Sequence, residues 1–139
     1  MAHPSVKFLK RFAPLASQLS DMTGIPAEVI LTQGAVESGW GRTTPGNNYF
    51  GMKTGSKYRK YPSPEDSFRD YANTMATLSR FASARAARTS EGFLQAVAKS
   101  GYSTRPWQDY YKFAASILGT VRKYSSVAGV ADFVPAVSA

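Results

Sequence analysis

The stretch GIPAEVILTQGAVESGWGRTTPGNNYFGMK, Gly24 to Lys53, decides how the rest of the chain is arranged. Its first half, from Pro26 to about Ser38, reads as a helix with almost no charge, so it is expected at the buried centre of a domain. Thr23-Gly24-Ile25-Pro26 closes one helix and opens this one, with Pro26 near the first position. Ile30, Gly34 and Glu37 share a face by the i, i+4, i+7 rule. Gly34 costs about 1 kcal/mol relative to alanine in a helix interior. A close neighbour, backbone or ligand, is therefore expected against it. Gly39 and Gly41 end the helix just after Glu37, which is the one acid between Ala35 and Lys53.

Upstream, Val6, Leu9, Phe12, Ala16 and Leu19 recur at helical spacing. Proline is at home only in a first turn, so Pro14 is expected to split this segment into a short leading helix and a second one starting near Ala13. Downstream, YFGMK and KYRKY, joined by Thr54-Gly55-Ser56, read as a two-stranded hairpin. Ser63-Pro64-Glu65-Asp66 has a capping serine, a proline and two acids, as a helix start requires. Its core face is expected to be Phe68, Tyr71, Ala72, Met75 and Leu78. A short helix spans about Glu91 to Ser100. The last helix runs from about Trp107 to Tyr124 through Tyr110, Ala114, Ile117 and Val121. The fold class is mainly α with an α+β accent: one domain over residues 1–124, then a weakly patterned tail, 125–139.

At 139 residues the chain suits one core. It contains no cysteine, which excludes disulfides, thiolate metal sites and cysteine nucleophiles. The single histidine, His3, is expected in a frayed terminus, so a histidine triad or zinc site is not expected. No metal or other cofactor motif is present. The net charge of +8, from 17 Lys and Arg against 9 Asp and Glu, favours a polyanionic partner. KTGSKYRKY interleaves bases with tyrosines as a nucleic-acid site does, and equally as a solvated basic hairpin does. The N-terminal MAHPSVKFLKRFAPL has no apolar run long enough for a signal peptide or a membrane span.

Glu37 sits where the negative end of the helix dipole disfavours its charged form. Burial beside Ile30, Val36 and Trp40 would disfavour it further. A carboxyl group that keeps its proton near neutral pH is what a general acid for glycoside cleavage requires. The alternative is a glutamate that reaches solvent or bonds a backbone N–H of the next turn. Trp40, Tyr49, Tyr61, Tyr102, Trp107 and Tyr110 offer stacking faces for sugar rings, and Asn47 and Asn48 offer donors and acceptors. Together with the glycine-rich turns, these suggest a carbohydrate groove.

GIPAEVILTQGAVESGWGRT followed by NNYFGMK resembles the glucosaminidase domains of glycoside hydrolase family 73. The similarity continues through YPSPEDSFRDYANTM and AVAKSGYSTRPWQDYYKFAASIL, covering roughly Phe8 to Leu118. The resemblance implies a lysozyme-like helical domain with a small β-hairpin lobe, acting on the glycan strands of peptidoglycan. By it, Glu37 is the acid that protonates the leaving oxygen. Trp40, Asn48, Tyr49 and Phe50 lead into the β-lobe on one wall of the groove. Tyr102, in GYST with Thr104, is the aromatic close to the acid. Ser63, Pro64, Glu65, Phe68, Asp70 and Tyr71 are structural.

The chain departs from that pattern in two places. Relatives often carry a second carboxylate in a longer lobe, whereas Phe50 to Pro64 contains no Asp or Glu. Glu65, Asp66 and Asp109 are the remaining candidates for an inverting base. Otherwise the substrate's own acetamido group acts as nucleophile with Glu37 as acid and then base, or a water held by Tyr102 or by a mobile lobe carboxylate attacks. Glu37 and Tyr102 are thus the expected catalytic residues. Arg105 stands where relatives commonly carry an acid, and adds positive charge near the groove. The expectation is an endo-β-N-acetylglucosaminidase, monomeric, with peptidoglycan as partner, contact with the anionic cell envelope, and no nucleic acid. A lysozyme-type muramidase, a lytic transglycosylase and a non-catalytic wall-binding module are the alternatives. The expected place of action is the bacterial wall, periplasmic or extracellular, reached through a holin or a secretion system.

Overall fold

A computed structural model describes residues 3–125. Its helices are α1 (Pro4–Thr23), α2 (Ala27–Ser38), α3 (Pro64–Thr77), α4 (Ala82–Arg85), α5 (Ser90–Lys99) and α6 (Trp107–Ser125). A small antiparallel pair, β1 (Lys53–Thr54) and β2 (Lys57–Tyr58), is inserted between α2 and α3. The fold is mainly α with a hairpin lobe, as expected.

The centre is α2. It packs against α1, α3, α5 and α6, and every residue from Ala27 to Ala35 is buried. A helix enclosed on all sides needs no polar face, which is why this one carries so little charge. Its one buried charge, Glu28, is 2% exposed and meets Arg122 of α6, whose Nη2 donates at 2.5 Å and Nε at 3.2 Å. The same guanidinium holds Glu91 of α5 at 2.9 Å. A Cβ on Gly34 would stand 3.1 Å from Phe50 Cζ and 3.3 Å from Phe8 Cζ. The close neighbours at this glycine are thus two core rings, not backbone or ligand.

Several expectations are corrected. α1 is one continuous helix with Pro14 inside it. Pro14 and Lys10 are exposed, so the carbonyl that the proline leaves unbonded is open to water. The buried stripe Phe8, Leu9, Phe12, Ala13, Ala16 and Leu19 holds the helix to the core across the break. His3 does not fray: its Nδ1 accepts from Ser5 N–H at 3.1 Å, and its ring stacks on Tyr124 at 4.5 Å.

α3 begins as expected, with Ser63 Oγ accepting from Asp66 N–H at 3.3 Å. It stops at Thr77, and Leu78 turns extended, so Leu78 leaves the core and is 47% exposed. In α6 the buried stripe is Tyr110, Ala114, Leu118 and Val121. Leu118, four residues beyond Ala114, takes the buried place expected for Ile117, which is only partly buried. The helix continues through Ser125; the rest of the expected tail lies outside the described residues.

The hairpin is shorter than the sequence suggests. Its register is Lys53 with Tyr58 and Thr54 with Lys57, around a Gly55-Ser56 turn. Both strands are exposed, so no buried face extends the ladder. Tyr49 and Phe50 leave it for the core instead, where Phe50 stacks on Tyr71 at 4.1 Å.

Candidate active site

Glu37 is the penultimate residue of α2. The chain leaves that helix through Gly39, Trp40 and Gly41, all left-handed with φ of 59°, 61° and 84°. Glycine adopts this conformation without a steric penalty; tryptophan does not. Trp40 is held there by its N–H bond to Ala35 O at 3.1 Å and by edge-on contact with Phe8 at 5.6 Å. Ser38 Oγ bonds Gly34 O and accepts from Gly41 N–H at 2.8 Å, tightening the reversal. The chain then doubles back over the end of α2 and lays Gly51 on the acid. A Cβ at Gly51 would lie 3.2 Å from Glu37 Oε1.

Two cavities meet at Glu37 and Gly51. One, of about 370 Å³, is lined by Met52, Lys53, Leu78, Arg80, Phe81 and Tyr102 among others. The other, of about 260 Å³, is lined by Thr43, Pro45, Asn48 and Tyr58. Among the residues lining them, Glu37 is the sole carboxylate.

Behind Glu37 runs a buried chain of hydrogen bonds. Tyr71 OH donates to Gln33 Oε1, Gln33 Nε2 donates to Tyr110 OH at 3.0 Å, and Tyr110 OH donates to Glu37 Oε2 at 3.0 Å. Burial raises the Glu37 pKa above the usual carboxylate range; the Tyr110 hydrogen bond and the positive charge of Arg105 oppose that rise. Burial also raises the phenols of Tyr71, Tyr102 and Tyr110, so all three remain hydrogen-bond donors.

The lobe is pinned from within. Asn48 Nδ2 donates to Met52 O and Arg59 O, while its Oδ1 accepts from Phe50 N–H and Met52 N–H. Tyr102 OH donates to Phe50 O at 2.7 Å. Arg59 and Tyr61 both donate to Asp70 Oδ2, at 2.6 Å and 2.5 Å, tying the lobe to α3.

Of the residues singled out in the sequence, Glu37, Asn48 and Tyr102 line the cavities, and Tyr110 reaches Glu37 from beneath. Tyr49 and Phe50 are buried in the core below the lobe. Trp40 lies on another face, beside a separate cleft with His3, Lys7 and Arg11. Tyr61 sits in the Asp70 clamp. Thr104 is exposed in the loop before α6. Trp107, half-buried, opens that helix under Lys99, whose Nζ is 4.8 Å above the ring. The candidate bases lie away from both cavities. Glu65 is near Arg11 at 3.8 Å, Asp66 bonds Ser63 and Arg69, and Asp109 is exposed.

Sequence reasoning missed Gln33, Tyr71, Gly51, Tyr58 and Arg80. Gln33 carried a signal, being a polar residue in an apolar run four positions before Glu37. Arg80 carried none, since it comes from an irregular turn after α3.

Comparison with known proteins agrees with this geometry. A sequence profile of the glucosaminidase family, described as mannosyl-glycoprotein endo-beta-N-acetylglucosaminidase, matches residues 13–126. The peptidoglycan hydrolase FlgJ of Pseudomonas aeruginosa is 27% identical over 154 residues, covering 88% of this chain and 38% of that protein. The chain spans less than half the length of the curated relatives it matches. The solved glycoside hydrolase domain of Salmonella typhimurium FlgJ aligns with a TM-score of 0.75 and 28% identity, covering 90% of this chain and 92% of that one. A peptidoglycan hydrolase from Sphingomonas sp. A1 aligns with a TM-score of 0.77 and 25% identity, covering 88% and 94%. With an acid at the end of a central buried helix and a hairpin lobe over it, the chain belongs to the glucosaminidase family and is a glycoside hydrolase domain of the endo-β-N-acetylglucosaminidase type.

Proposed function

We propose that this domain hydrolyses the β-1,4 bond between N-acetylglucosamine and N-acetylmuramic acid in peptidoglycan, with Glu37 as general acid. One observation carries the reading: a carboxyl group whose proton is favoured by burial lies where two cavities of an open groove meet. The likeness to proteins named as peptidoglycan hydrolases supplies the polymer. Asn48, Tyr58 and Tyr102 are the sugar contacts this geometry favours; Tyr110 orients the acid, and Tyr49 and Phe50 support the lobe from below. The groove is formed within one chain, which suits a monomer acting at the bacterial wall.

With no second carboxylate lining the groove, the substrate's acetamido oxygen is the nucleophile this site favours. Glu37 gives its proton to the glycosidic oxygen as the bond to the anomeric carbon breaks and the acetamido oxygen bonds that carbon. Water then attacks the same carbon, its proton passes to Glu37, and the acetamido group is released. The configuration at the anomeric centre is retained.

The test is product analysis. Peptidoglycan is digested, the new ends are reduced with borohydride and the fragments are weighed by mass spectrometry. Reduced N-acetylglucosamine ends are expected. Reduced muramic ends would make the domain a muramidase, anhydro ends a lytic transglycosylase, and no new ends a binding module. Glu37→Gln is expected to lower turnover by about 10²–10⁴-fold with the fold intact.

A further inference from the structure

The larger cavity beside Glu37 holds three cations, Lys53, Arg59 and Arg80. Among the described residues, only Arg59 is matched by a carboxylate, Asp70 at 2.6 Å. Among the described residues, no carboxylate lies within salt-bridge reach of Lys53 or Arg80. Arg80 is nonetheless held in place. Its Nε donates to Ser100 O at 3.2 Å, and its guanidinium lies 5.1 Å above the Phe81 ring. That anchoring occupies Nε and leaves the two terminal nitrogens of the fork to bind something else. Lys53 Nζ stands 4.8 Å over the ring of Tyr58.

A neutral sugar has no use for two cations that no carboxylate among the described residues matches. Positive charge near a general acid also disfavours its protonated form, as Arg105 does to Glu37. Both observations make sense if the strand itself brings an anion. A planar carboxylate matches an arginine fork, with a lysine as a third, mobile donor. Phe81 and the exposed Leu78 on the same wall would keep water from part of that contact.

We propose that Arg80 and Lys53 form a subsite for a carboxylate carried by the glycan strand, so that the domain selects strands with negatively charged muramyl units. This rests on the glucosaminidase reading above. The carboxylate has two sources in peptidoglycan: the lactyl group of muramic acid once its peptide is gone, or the stem peptide while it is attached.

The experiment uses the full chain and four substrates. These are intact sacculi, the same sacculi with their carboxyl groups amidated, amidase-stripped strands with free lactyl groups, and stripped strands converted to neutral methylamides. Release of reducing ends gives kcat/KM, and cosedimentation of the Glu37→Gln protein gives binding without turnover. For at least one pair, the charged form is expected to be preferred by about tenfold, the scale of a hydrogen bond to a charged group. Arg80→Gln combined with Lys53→Gln is expected to bring that ratio to about one, and Arg80→Lys to an intermediate value. A preference between stripped strands assigns the lactyl group; one confined to sacculi assigns the stem peptide. Equal treatment of both pairs by the unaltered protein would overturn the subsite. So would variants that lose charged and neutral forms by the same factor. Absence of reducing ends from all four substrates, with the binding preference intact, would reject the hydrolase reading and keep the subsite.

Discussion

Glu37 is subject to two opposing effects: burial favours its proton, and the hydrogen bond from Tyr110 favours its anion. Removing that bond leaves burial less opposed. Tyr110→Phe is therefore expected to move the alkaline limb of kcat/KM to higher pH, because the acid stays protonated further up the scale. A pH profile of reducing-end release checks this. The same burial has a stability consequence. A carboxyl group with a raised pKa in the folded state adds stability below its unfolded pKa and loses it as pH rises through the folded value. At neutral pH the fold thus lacks stability that it has in acid. Glu37→Gln is expected to melt higher than the parent at pH 7, with the gain vanishing as pH falls below the ordinary carboxylate range; thermal melts across pH would show it. Glu37 stood out in the sequence through the aromatic and amide residues around it and the resemblance of ESGWG and NNYFG to the family; its position alone left a structural glutamate open. Its hydrogen-bonded partners did not stand out. Tyr71 looks like any core aromatic on a helical stripe, and only the tertiary fold reveals that its hydroxyl ends at Gln33.

Among the elements, α2 carries the clearest test. Gly34→Ala removes a helix-interior glycine, a gain of about 1 kcal/mol. Yet the new methyl would meet Phe50 and Phe8 at 3.1 Å and 3.3 Å. Phe50 cannot swing aside, being fully buried, stacked on Tyr71 and edge-on to Phe68. Overpacking of this kind costs about 1–3 kcal/mol, so net destabilisation of roughly 1 kcal/mol is expected in a urea titration. The helices were legible from their apolar spacing and caps. Pro14 misled because a proline rule describes local backbone, whereas the stripe on α1 supplies a tertiary contact that outweighs one lost hydrogen bond. The hairpin misled for the converse reason. Its residues have strand propensity, but Tyr49 and Phe50 are needed in the core.

At the scale of the molecule, Arg122 joins three helices, meeting Glu28 of α2 and Glu91 of α5 from its place on α6. Arg122→Met would strand the buried carboxylate of Glu28. The expected cost is about 3 kcal/mol, the lower end for a broken buried pair because Arg122 itself is partly in solvent. Adding Glu28→Gln is expected to restore much of it in the same denaturant titration. The class of chemistry was readable through the resemblance of one segment to a family; most of the residues that wall the groove were not, since they come from turns far apart in sequence. Those walls have a further effect on how a polymer is cut. Space continues on both sides of Glu37, so a strand lying through the groove presents an internal linkage to the acid, not its terminus. Early digests should then contain long fragments of mixed length, and a wall should lose its mechanical continuity well before it yields small sugars.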